Sequence, residues 1–273
     1  MQSRPRETAP PVVHPTAVVL PGAELGPGVE VGPYAVIEPG VELGADCVVG
    51  PHAHLLGRLT VGPRTHVGTG SVLGGPPQDD AWDGGRGLVR IGADVRIHEH
   101  VTVHRPSDSG ADHVTEVGDG ARLMAGSHVG HQARLGAGAV LVNGACLAGH
   151  SELGPSAILS GNAAVHQHGR VGRLCMVGGG AMVTLDAPPF AIVTGGHPPT
   201  FHGVNVVGLR RAGVSDEARR ALRRAFRDLY ANGVADRAVA ERLAADEVAE
   251  VAEVGRFVLA SRRGVCPRAG RPR

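Results

Sequence analysis

Histidines at positions 104, 131, 150 and 166, with a glycine at 149, are the residues in this chain whose type and spacing could do chemistry. A neutral imidazole near pKa 7 can take the proton of an attacking hydroxyl. A backbone N–H at a glycine, with no side chain in the way, can stabilise the oxygen that turns negative as a carbonyl is attacked. His131 as base, Gly149 as oxyanion donor and His150 as the group orienting the base make a compact acyl-transfer hypothesis. The plainer alternative is that histidine is only a tolerated polar corner residue, as at His52 or His66.

That hypothesis depends on elements that bring distant positions together, and a repeat supplies them. From Val117 an aliphatic residue recurs every sixth position (Leu123, Val129, Leu135, Leu141, Leu147, Leu153, Leu159, Val165, Val171, Val177, Val183). Four residues after each stands something small, among them Ala121, Ser127, Ala133, Ala145, Ala163 and Cys175. Hexapeptide periodicity of this kind is the signature of a parallel β-helix. Three hexads make one triangular coil, so residues 18 apart stack at about the 4.8 Å of neighbouring strands. Hexads starting at 103, 129, 147 and 165 then share a face, once a loop after 104 is excised. This places His104, His131, Gly149, His150 and His166 along one corner.

The same period runs from Val13 to Val67, with proline two residues later at Pro15, Pro21, Pro27, Pro33, Pro39, Pro51 and Pro63. Proline lacks a ladder donor and pre-sets φ, so it marks the corners. The expected organisation is a disordered tail over 1–11, a β-helix over 12–190 with loops at 74–88 and 106–116, and a connector with a C-terminal helical domain over 191–273. Insertions in a solenoid gather on its binding face, and the second loop leaves the wall just after His104. Ser215 is placed to cap a helix carrying Leu222, Phe226, Leu229 and Tyr230 on one stripe, with Gly233 as its stop. Two further short helices are expected near 236–246 and 247–262.

Composition agrees with this architecture. Aromatic residues make up only 3% of the 273 residues, and a prism one hexad wide has no room for large rings. All 27 basic residues are arginine, which excludes Schiff-base lysine and P-loop chemistry. A formal charge of +1, with no basic face evident outside the C-terminal region, argues against nucleic acid as the main partner. Cys47, Cys146, Cys175 and Cys266 show no paired spacing, so a reduced, cytoplasmic setting is expected rather than a disulfide scaffold. The N-terminus lacks an apolar signal region, and no apolar run is long enough to span a membrane. His98, His100 and His104 form a cluster that could hold zinc in a hydratase of the carbonic-anhydrase kind. However, the hexad count puts His104 on a different face from the other two, too far for metal ligation within one chain. No metal or other cofactor is expected.

Several stretches are more specific than the hexad: HPTAVV (14–19), PPQDD (76–80), VTVHR (101–105), SHVGH (127–131), LAGH (147–150), AVHQ (164–167), MVGGG (176–180), APPFAIV (187–193) and GVNVVGLRR (203–211). Over nearly its whole length the chain resembles the UDP-N-acetylglucosamine O-acyltransferases that open lipid A biosynthesis. The resemblance implies a left-handed parallel β-helix, a homotrimer with sites in clefts between subunits, and an acyl-carrier-protein thioester as co-substrate. It implies His131 as catalytic base and Gly149 as oxyanion glycine. Asp79, His128, His150, His166 and Gln167 correspond to substrate-binding positions, Asn205 and Arg211 to nucleotide contacts, and Gly179 to the gauge of acyl length; His104, placed in the same column by the hexad count, is expected to bind substrate with them. The chain departs from the pattern at Gln132, where the base is normally followed by Asp, and at Ala81, Val207 and Ala212. These departures keep open a relative with another acceptor or an acyl-CoA donor, or a non-catalytic trimeric binding protein.

Overall fold

The computed structural model describes residues 9–80, 82, 84, 85, 87–108, 113–195 and 198–270. Away from the two interruptions each hexad is a two- or three-residue strand followed by a turn, as in His128–Val129, turn, Arg134–Leu135, turn, Val140–Leu141. Among the described residues the strands form three sheets of 11, 9 and 8 strands, joining every third strand of the chain until the first sheet ends in two consecutive strands, Ala191–Thr194 and Thr200–Val204. Together they make a left-handed β-helix. In the second sheet Val103 pairs with Val129, Val129 with Leu147 and Leu147 with Val165, all parallel.

Each coil sends its aliphatic residue and its small residue inward. Val129, Ala133, Leu135, Ala139, Leu141, Ala145 and Leu147 are all buried. The small residue leaves room for the chain to bend at the corner, and the aliphatic ones stack into a continuous column of apolar contacts. Several corners close tightly enough to demand glycine. A Cβ on Gly130 would lie 2.7 Å from Gly149 N in the next coil. The second turn residue sits in the left-handed region, at φ 51° for Gln132, 57° for His150 and 62° for His168.

Both interruptions of the period leave the prism at one edge. One follows the strand Val72–Gly75, the other the strand Thr102–His104, where the second sheet passes to the third. Beyond Val183 the chain makes an antiparallel hairpin, Ala191–Thr194 with Thr200–Val204. Among the described residues four helices follow: α1 (Val206–Arg211), α2 (Asp216–Leu229), α3 (Arg237–Ala244) and α4 (Ala249–Leu259). Ser215 caps α2 by accepting from Ala218 N, and Phe226 and Tyr230 stack on Phe201 of the hairpin. Asp186 ties this region to the prism, accepting from Arg170 N at 3.0 Å and from the Ser261 hydroxyl at 2.8 Å.

Candidate active site

Three successive coils build the corner where the second sheet turns into the third. Its first turn position carries His131, Gly149 and Gln167, and its second carries Gln132, His150 and His168. Backbone bonds lock these turns together, His150 N donating to His131 O at 2.9 Å and His168 N to Gly149 O at 3.2 Å. The first turn position is the one proline takes in the N-terminal coils, and its N–H has no ladder partner. Gly149 N–H accordingly donates no backbone hydrogen bond among the described residues.

His131 lies against Gly149. A Cβ built on Gly149 would overlap the imidazole, with Nε2 the nearest atom. The other ring nitrogen, Nδ1, is 2.5 Å from Gln132 Oε1. An amide oxygen only accepts, so Nδ1 carries the proton and Nε2, the nitrogen lying against Gly149, keeps its lone pair. His150, expected to orient the base, instead meets the His131 ring edge-on at 5.1 Å between centroids. The orienting hydrogen bond comes from Gln132. His150 in turn stacks on His168 at 4.7 Å.

Next to this corner, on the outer face of the second sheet, His104 and His128 pack edge to face at 4.8 Å, and His128 Nδ1 is 2.8 Å from Thr102 Oγ1. Burial, with the His128 and His131 rings adding to it, pushes the His104 pKa down to about 4. Burial also holds His128 and His150 below the usual histidine range. At neutral pH these three rings are therefore uncharged and can only give or receive hydrogen bonds.

The remaining expected positions are distributed as follows. His166 leaves its strand one residue before the turn and is exposed, its Nδ1 3.0 Å from Gln167 O and 3.3 Å from an Arg263 nitrogen. Gln167 occupies the same corner row as His131 and Gly149. Asp79 lies in the first loop, at the same edge but three coils nearer the N-terminus than Gly149. Gly179 lies at another edge, between the first and second sheets, where a Cβ would meet only Gly161 O at 3.4 Å. Asn205 is at the third edge and is not brought to the corner. It is buried, its Nδ2 donating to Leu174 O at 2.9 Å and its Oδ1 accepting from Gly208 N at 3.0 Å. Arg211 is exposed at the end of α1. Ala81 lies outside the described residues. His98 and His100 follow a strand of the first sheet while His104 ends one of the second, so one chain does not gather them.

Sequence reasoning passed over three participants. His168 is 18 residues after His150 and so belongs to its row by simple counting. Ser107 and Asp108 come from the second loop, where hexad counting stops. The Ser107 backbone N–H and hydroxyl donate to Gln132 Oε1 at 3.3 and 3.4 Å, and Gln132 Nε2 donates to Asp108 Oδ2 at 3.3 Å. Asp108 is also paired through its other oxygen with His113 Nδ1.

Residues 186–266 match the family model described as UDP-N-acetylglucosamine O-acyltransferase, domain 2. A Trichlorobacter lovleyi protein named acyl-[acyl-carrier-protein]–UDP-N-acetylglucosamine O-acyltransferase is 47% identical over 93% of this chain and 98% of its own length. A protein of the same name from Aquifex aeolicus is 51% identical over 72% of this chain and 75% of its own. The solved UDP-N-acetylglucosamine acyltransferase of Campylobacter jejuni superposes with a TM-score of 0.88 at 32% identity, covering 94% of this chain and all of that one. With its histidine corner on a left-handed β-helix and relatives this similar along nearly its whole length, the chain is an acyltransferase and belongs to the UDP-N-acetylglucosamine O-acyltransferase family.

Proposed function

We propose that this chain moves a fatty acyl group from an acyl-carrier-protein thioester to a hydroxyl of UDP-N-acetylglucosamine, working as a homotrimer on the cytoplasmic side. The observation that carries the mechanism is the His131 ring, held at Nδ1 by Gln132 and turned with Nε2 against Gly149. Nε2 takes the proton of the sugar hydroxyl as its oxygen attacks the thioester carbonyl carbon. The carbonyl oxygen becomes negative beside the Gly149 N–H, which has no competing backbone acceptor. Collapse of the tetrahedral species breaks the carbon–sulfur bond, and the leaving thiolate takes the proton from the imidazolium. His104, His128 and His150 line the approach as neutral hydrogen-bonding groups, with His166 and Gln167 beside them. The names of the relatives support the identities of donor and acceptor.

One observation favours a second reading of the acceptor. Val207, at a position the family gives to an acidic residue, is 61% exposed, and Ala212 beyond α1 replaces an arginine. An exposed valine offers a nucleotide sugar no polar contact, so a related nucleotide sugar, or an acyl-CoA donor, is the alternative. Incubation with a panel of nucleotide sugars and acyl thioesters, read by mass spectrometry, decides between them. Acylated UDP-N-acetylglucosamine formed from the carrier-protein donor is the expected product, and acylation of a different sugar alone overturns the first reading. His131→Ala is expected to abolish transfer with the oligomer intact.

A further inference from the structure

A base whose partner is a neutral amide lacks the charge that usually fixes an imidazole's tautomer and favours its protonated form. An amide also has two ends of opposite polarity, and only one of them serves. If Gln132 turned over, Nε2–H would face His131 Nδ1, the ring would carry its proton on Nε2, and no lone pair would face the hydroxyl. Something must therefore hold the amide. Two neighbours from the second loop have fixed polarity. The Ser107 backbone N–H can only donate and is 3.3 Å from Oε1, while the Asp108 carboxylate can only accept and is 3.3 Å from Nε2. The Ser107 hydroxyl sits between both ends, 3.4 Å from Oε1 and 3.3 Å from Nε2. The backbone of Gln132 is pinned as well, its N–H donating to Thr115 Oγ1 at 2.9 Å.

We infer that Asp108 is a positioning residue for His131, acting through the Gln132 carboxamide: its carboxylate holds Nε2, which aims Oε1 at His131 Nδ1 and leaves Nε2 of the ring free as the base. Asp108 also supplies, one residue removed, the negative charge that Gln132 itself lacks. This rests on His131 being the base. The second loop thus completes the corner, which explains why it leaves the wall immediately beyond His104. No proton passes along the relay. Asp108 orients an amide, and the amide orients a ring.

The test uses full-length protein with an acyl-carrier-protein thioester and UDP-N-acetylglucosamine. Asp108→Asn, which can present an NH2 group to the amide and let it turn over, is expected to lower kcat about 10- to 100-fold, the range seen when an outer partner of a functional histidine is lost. KM should stay within about twofold. The acid limb of kcat/KM should move to lower pH, because a negative charge near the imidazolium has gone; His113, His128 and His150 face the same site and remain. Asp108→Glu should recover part of the rate. In a Gln132→Leu background, Asp108→Asn should change kcat by less than about twofold, since the intermediary is already missing. Independently of turnover, 15N shifts of labelled His131 should report the Nδ1–H form in the wild type and a mixture in Asp108→Asn. An unchanged kcat and an unchanged tautomer in Asp108→Asn, or additive losses in the double variant, overturn the relay while leaving the base in place. Turnover surviving in His131→Ala overturns the base, and the relay with it.

Discussion

At the scale of single residues, the corner works because its imidazoles differ. His104 and His128 are packed edge to face and held neutral by burial, whereas His131 is gripped at one nitrogen and open at the other. The His104 pKa, near 6.5 in an unfolded chain and about 4 in the fold, makes stability depend on acid in a defined window. Between those values the unfolded state binds more protons, so stability is complete above about pH 6.5 and falls as the pH drops towards 4. Thermal unfolding followed from pH 7 to 4 should show a shallower decline in His104→Gln than in the wild type; parallel curves would remove His104 as the acid-sensitive group. Gly149 makes a different demand. A methyl there overlaps the His131 ring, so Gly149→Ala must displace that ring, and with His131 as the proposed base kcat should fall by about 100-fold or more. Gly179→Ala brings a methyl only to about van der Waals contact with Gly161 O, at 3.4 Å, so it should fold as the wild type does and lose far less turnover than Gly149→Ala. Steady-state kinetics on the two alanine variants, side by side, checks the contrast.

At the scale of elements, the turns decide which side chains meet. Second turn residues such as His150 and His168 lie in the left-handed region and hydrogen-bond to the first turn residue of the preceding coil, so rows 18 residues apart cannot slip. This is why counting in sixes was enough to stack His131, Gly149 and His150, and why His168 was legible though unread: it is the next member of the His150 row. His166 belongs to the row of Gly130 and Ala148, one position before the turn. Ser107 and Asp108 were beyond such counting, because a loop has no period and its contacts form only in three dimensions. Asn205 shows the opposite limit. Its place in GVN suggests a nucleotide contact, yet both ends of its amide are engaged inside the protein, capping α1 and binding Leu174 O. Asn205→Ala should cost roughly 2 kcal/mol, from a lost cap plus an orphaned carbonyl. Asn205→Asp keeps the cap acceptor and should recover part of that loss. Denaturant midpoints measure both, and a KM effect without any stability change would return Asn205 to the substrate.

At the scale of the whole molecule, the candidate residues divide among the edges of the prism. His131, Gly149, His150 and both loops occupy the edge between the second and third sheets; Gly179 stands between the first and second; Asn205 and α1, with Arg211 at its end, stand by Leu174 between the third and first. A convex prism cannot turn three edges towards one ligand. Three copies around a common axis, the assembly proposed above, would do so if each set one of its edges beside a different edge of its neighbour, in a closed threefold ring. If the acceptor's nucleotide is held by Arg211 of one subunit and its hydroxyl is deprotonated by His131 of the next, the two functions can be separated genetically. His131→Ala and Arg211→Ala proteins should each be defective as homotrimers. Co-folded at equal amounts, half the subunits at any interface supply an intact histidine edge from the Arg211→Ala chain, and half of their neighbours supply an intact arginine edge from the His131→Ala chain. About one quarter of the sites are then complete on both sides, so activity should return to about one quarter of the wild-type value. Sedimentation of the mixture fixes the stoichiometry at the same time. Were both residues needed within one chain, no mixture could exceed the activity of its better parent, and the shared site would be excluded.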